Sequence, residues 1–82
     1  MAKLPAISGK KLLKALKKHG FTVLRQKGSH VFIENPEGLG TIIPLHSNED
    51  LGKGLLKSIL NDLELEADDL EDMFQRNSIP PK

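Results

Sequence analysis

Residues 21–44 read FTVLRQKGSHVFIENPEGLGTIIP, and the punctuation within this stretch decides the fold. β-Branched and aromatic residues fill Phe21–Gln26, His30–Glu34 and about Gly40–Pro44, so each segment reads as a strand. Lys27-Gly28-Ser29 is turn chemistry, with Gly28 free to take positive φ, and Asn35-Pro36-Glu37-Gly38 is a second turn signal. Strands joined by such short links predict an antiparallel meander. Both alternation sets within it are apolar, with Val31 and Ile33 on one face, Phe32 on the other, and Ile42 beside Ile43. One face must meet helices, so apolar area is expected on the opposite face, where it often marks a partner surface. The pattern leaves open whether Phe32 is core or interface.

Helices flank this meander. Ser8 suits an N-cap, and Leu12, Leu13 and Leu16 recur at the spacing of an amphipathic helix, expected over Gly9–His19 and ended by Gly20. His19 closes it, where an imidazolium suits the negative end of the helix dipole. Lys10, Lys14, Lys17 and Lys18 fall on neighbouring turns of its other side. They repel one another there, an arrangement that is favourable against phosphate. His46–Gly52 reads as a loop. A second helix then begins near Lys53 or Gly54, with Leu55, Leu56, Ile59, Leu60 and Leu63 as its apolar stripe. Glu64–Ala67 breaks the stripe. Leu70, Met73 and Phe74 predict a short third helix, whose opening acids Asp68, Asp69 and Glu71 suit the dipole. The expected architecture is α+β in the order α-β-β-β-α. It comprises a three-stranded antiparallel sheet, helices packed on one face, and a short C-terminal helix. It forms a single domain over residues 1–76, with 77–82 a frayed tail.

Length and composition set the bounds. Eighty-two residues fit one domain with a thin core. The absence of cysteine excludes a disulfide framework, a thiolate metal site and a thiol nucleophile. No stretch nears the roughly 20 apolar residues of a spanning helix, and Met1–Ser8 lacks the apolar run of a signal peptide. The expected compartment is the cytoplasm, with no membrane partner. The formal net charge of +1 hides a strong asymmetry. Residues 1–33 hold eight Lys or Arg and no acid, whereas residues 61–82 hold seven acids against Arg76 and Lys82. Such a split suggests a polyanion partner for the front half; the plainer alternative is uneven solvated surface.

No motif calls for a metal or other cofactor. His19, His30 and His46 are far apart in sequence, with no HExxH and no carboxylates at ligand spacing. Gly52-Lys53-Gly54 resembles a fragment of a phosphate loop, but it reads more simply as a helix start. Arg25-Gln26-Lys27-Gly28-Ser29-His30 is different, because it gathers two cations, a hydroxyl and an imidazole around one tight turn. Cleaving RNA through its 2′-hydroxyl requires one group to take that proton and one to protonate the leaving oxygen. Positive charge must also meet the developing phosphorane. Histidine does either proton job near neutral pH. His30 is therefore the catalytic candidate, with Arg25 and Lys27 as charge and Ser29 as a phosphate hydrogen-bond donor. The plain alternative is a strand-start histidine that bonds only to its own turn. His46 is either a surface loop histidine or a second proton-transfer group.

Ser8-Gly9-Lys10, Gly20-Phe21, RQKGSH at 25–30, Pro44-Leu45-His46 and GLLKSIL at 54–60 occur in the order found in HicA-type toxins, and the resemblance spans about Leu4 to Phe74. It implies a fold like a double-stranded-RNA-binding domain. It also implies ribosome-independent mRNA interferase activity and inactivation by a HicB-type antitoxin; with no metal motif in the residues, that activity is expected to need no metal. It makes His30 the match to the family's catalytic histidine and Gly28-Ser29 the match to its flanking motif. Two departures stand out. Val31 replaces the second histidine common there, on the other face of the strand, and Leu55 replaces a threonine. Lys10, Lys14, Lys17, Arg25, Lys27, Ser29 and Lys53 are the expected RNA contacts, forming one surface that reads shape and phosphate. Three Phe with no Tyr or Trp argue against a single-strand stacking platform. Two competing readings are a catalytically silent double-stranded-RNA-binding module and an interaction protein whose basic face meets an acidic partner.

Overall fold

The computed structural model describes residues 6–45 and 49–78. The order is α1 (Gly9–Lys18), β1 (Thr22–Lys27), β2 (His30–Glu34), β3 (Gly40–Pro44), α2 (Lys53–Asp62) and α3 (Ala67–Ser78). The strands form one antiparallel sheet in the order β1-β2-β3. This is the α+β layout that the turn signals predict.

Local chemistry explains the ends of α1. The Lys11 amide donates to Ser8 Oγ at 3.2 Å, satisfying one orphan donor. At the other end His19 is the cap, and Gly20 turns left-handed at φ +95°. The Phe21 amide then reaches back to the Leu16 carbonyl at 3.1 Å, which completes a Schellman closure. This closure is why β1 starts at Thr22 rather than Phe21: the phenylalanine is spent on plugging the core, where it is buried.

The hairpin between β1 and β2 has only Gly28 and Ser29 at its tip. Gly28 takes φ +60°, while Ser29 keeps negative φ, so this is the II′ class of turn that fits strand twist. The wider β2–β3 turn is organised by Asn35, whose side-chain oxygen accepts from the amides of Glu37 and Leu39, each at 2.9 Å.

The sheet has one covered and one open face. Val31, Ile33 and Ile43 are buried with Leu12 and Leu16 of α1, Leu56, Ile59 and Leu60 of α2, and Leu70 and Met73 of α3. Strand alternation sends His30, Phe32 and Glu34 the other way. The Phe32 ring is half-buried on the open face, so it belongs to no core cluster. Beside β3, Thr41 Oγ1 donates to Asp62 Oδ2 at 2.8 Å, tying α2 to that strand.

α3 runs to Ser78, two residues into the stretch expected as a frayed tail. At its start the Glu66 amide donates to Asp69 Oδ2 at 2.8 Å, so the acids expected to suit the dipole also act as a cap.

Candidate functional site

His30 is the first residue of β2 and is exposed. It stands opposite Lys27 on β1 and opposite Pro44 on β3. The tight Gly28-Ser29 turn fixes its approach, and the Leu45 amide, donating to the Ser29 carbonyl, ties that turn to the end of β3. The imidazole thus projects from the open sheet face at the hairpin end, open to solvent on one side.

A β-bulge decides where the neighbouring cations point. The β1–β2 register runs Val23↔Ile33 and then Arg25↔Phe32, which leaves Leu24 as the extra residue. Without it, Arg25 and Lys27 would follow Val23 toward the core, because residues two apart share a face. With it, both share the open face with His30. Arg25 does not stand free there: its guanidinium lies 4.5 Å from the centroid of the Phe32 ring.

Beside His30 opens a cavity of about 490 Å³. Its apolar wall comes from Ile42 and Pro44 of β3, Leu51, and Leu55 of α2. Its polar wall is acidic, from Glu49 and Asp50. The backbone at Asp50 and Leu51 is tied down: the Leu51 amide donates to the Ile7 carbonyl at 2.7 Å, and Asp50 forms a backbone bridge with Ser8. A second groove of about 470 Å³ continues across the open face over Leu24, Phe32, Ile42 and Leu55, sharing Ile42 and Leu55 with the first. Leu24, Ile42 and Leu55 are the exposed large apolar residues among those described.

Lys10, Lys14, Lys17 and Lys18 line their own cavity of about 420 Å³ around Leu13 on α1, and it shares no residue with the cavity at His30. Lys53, the first residue of α2, is exposed next to Gly52 of the His30 cavity without lining it. Lys27, Ser29 and His30 are brought together by the hairpin, Arg25 lies farther along the same face, and the α1 lysines line a different cavity. His46 lies outside the described residues. The sequence reading missed Glu49 and Asp50, because nothing within a polar loop signals that its backbone pairs with residues 7 and 8. Among the described residues, no three His, Cys, Asp or Glu are grouped to hold a metal ion. No helix there is long and apolar enough to cross a membrane.

Residues 9–65, from the start of α1 past the end of α2, match a family model described as HicA toxin of bacterial toxin-antitoxin. A comparison with curated proteins returns no match.

Proposed function

Because the chain belongs to the HicA toxin family of bacterial toxin–antitoxin systems, we propose that it is an endoribonuclease that cuts mRNA without a metal, with His30 as its proton-transfer residue. The observation that carries this reading is the placement of His30, exposed just after a two-residue hairpin turn, opposite Lys27 and beside a cavity. A ribose 2′-hydroxyl needs a partner to take its proton as its oxygen attacks the adjacent phosphorus. The departing 5′-oxygen needs a proton in return. The imidazole performs one of these transfers and water or a second group the other. The bond from phosphorus to the 2′-oxygen forms as that to the 5′-oxygen breaks, leaving a 2′,3′-cyclic phosphate and a 5′-hydroxyl.

Lys27 is the cation for charge developing on the phosphorane, since it shares the open face and the cross-strand pair with His30. Ser29 orients a phosphate oxygen. Arg25, held over Phe32, contributes long-range field and a flat cationic edge for the RNA backbone. The α1 lysines, with Lys53, hold RNA phosphates away from the cut, so affinity and chemistry lie on separate parts of the surface. The protein works in the cytoplasm, where a HicB-type antitoxin holds it inactive. The test is product chemistry: purified protein in EDTA should yield cyclic-phosphate and 5′-hydroxyl ends, and His30→Ala should yield neither. Products with 5′-phosphate ends, or activity abolished by EDTA, would refute the mechanism.

The separate lysine cavity favours one alternative, a double-stranded-RNA-binding module without chemistry. RNA binding by the wild type with no cut ends after long incubation would establish it instead.

A further inference from the structure

We infer that the cavity beside His30 is a nucleobase subsite selecting guanine, with Glu49 and Asp50 as its reading residues. The inference deepens the ribonuclease reading and rests on it for the claim that RNA reaches this corner of the molecule. Its volume of about 490 Å³ is within the range of small-molecule sites. Among the described residues, its lining holds no lysine or arginine. A phosphate placed there would meet two carboxylates at close range and be repelled. RNA passing His30 must therefore turn its backbone toward Lys27 and present something else to the cavity. A base fits the chemistry of the walls. Ile42, Pro44, Leu51 and Leu55 offer apolar contact to its faces, and the carboxylates are pure acceptors for its edge.

That edge must then carry donors. Guanine presents an imino N1–H beside an exocyclic amino group, two adjacent donors that a carboxylate can accept together. Adenine and cytosine offer one amino group beside an acceptor, which leaves a carboxylate oxygen facing a lone pair. Uracil offers one imino N–H between two carbonyls, the least favourable match. Unstacked bases in single-stranded RNA are commonly read on this edge. The backbone beneath the second carboxylate is also tied down, because Asp50 pairs with Ser8 and Leu51 with Ile7. Ordered support of this kind makes acceptor geometry selective.

The test is titration of isotope-labelled full-length protein with guanosine monophosphate and, separately, uridine monophosphate, followed by amide and imidazole resonances. Guanosine monophosphate should bind about tenfold more tightly, within the discrimination typical of a paired base contact. Its shifts should centre on Asp50, Leu51, Gly52, Leu55 and His30. The double variant Glu49→Gln, Asp50→Asn should keep its fold, since both residues are exposed, and should bind both nucleotides alike; Asp50→Asn alone checks the result in a milder background. Equal binding by the wild type, shifts confined to the α1 lysines, no binding, or unchanged selectivity in the variants would each overturn the subsite. Nucleotide binding does not require cleavage. Guanine selectivity in a protein that never cuts RNA would keep the subsite and remove the enzyme, and a cutting enzyme without selectivity would do the reverse.

Discussion

The guanidinium of Arg25 lies 4.5 Å from the centre of the Phe32 ring, on the same open sheet face as His30. A bulge at Leu24 makes this contact possible by turning Arg25 away from the core. Arg25→Ala should lower stability by only about 0.5–1 kcal/mol, the scale of an exposed cation–π pair. It should weaken RNA binding without changing the rate of cutting bound RNA. A drop in the single-turnover rate at saturating enzyme would instead place Arg25 at the reacting phosphate.

Lys27 is the opposite case. Because it pairs across the sheet with His30, Lys27→Ala should cut the single-turnover rate by at least about tenfold, with stability unchanged. Exposure keeps the loss below what a desolvated transition-state donor contributes. An unchanged rate would remove Lys27 from the site.

Reversing Lys10, Lys14 and Lys17 to Glu separates affinity from chemistry. These side chains share a cavity that His30 does not line, so RNA affinity should fall and its salt dependence become shallower, by about 0.7–0.9 in logarithmic slope per lost phosphate contact. The rate of cutting bound RNA should hold. A slope that stays put would show that the α1 face does not meet RNA.

Gly9 tests the packing that sets the site. A Cβ at this position would collide with the Pro44 carbonyl oxygen, so α1 starts directly against the end of β3. Gly9→Ala must push the helix off the strand that faces His30. Urea unfolding should show a loss of about 1–3 kcal/mol, the usual cost of overpacking. Wild-type stability would mean that the helix start shifts freely.

Much of the fold was legible because turn chemistry is local. Gly28, Asn35 and Gly38 mark the two turns, and Gly28 and Gly38 both hold the positive φ that such turns require. The leucine spacing of α1 and α2 likewise gave most of their buried stripes, but Leu13 is only partly buried and Leu55 is 44% exposed. Alternation could not give the sidedness of β1, because one extra residue at Leu24 inverts the face of everything after it. Nor could it choose between Ile42 and Ile43; the latter is buried and the former 43% exposed. His30, Lys27 and Ser29 were readable as one cluster since a tight hairpin keeps them together. The acidic wall at Glu49 and Asp50 was not, because it depends on backbone pairing across more than forty residues with Ile7 and Ser8. How the α1 lysines lie relative to the turn was not legible either, for a related reason. A net charge map along the chain carries no information about which faces of separate elements adjoin.

Single-turnover cleavage of one defined RNA by wild type and His30→Ala, in EDTA and with equal RNA occupancy verified, tests the central assignment most directly. Loss of the imidazole should slow cutting by about a hundredfold or more, the usual worth of a positioned proton-transfer group, while circular dichroism and RNA affinity stay at wild-type values. Cutting at the wild-type rate by a folded, RNA-bound His30→Ala protein would contradict it.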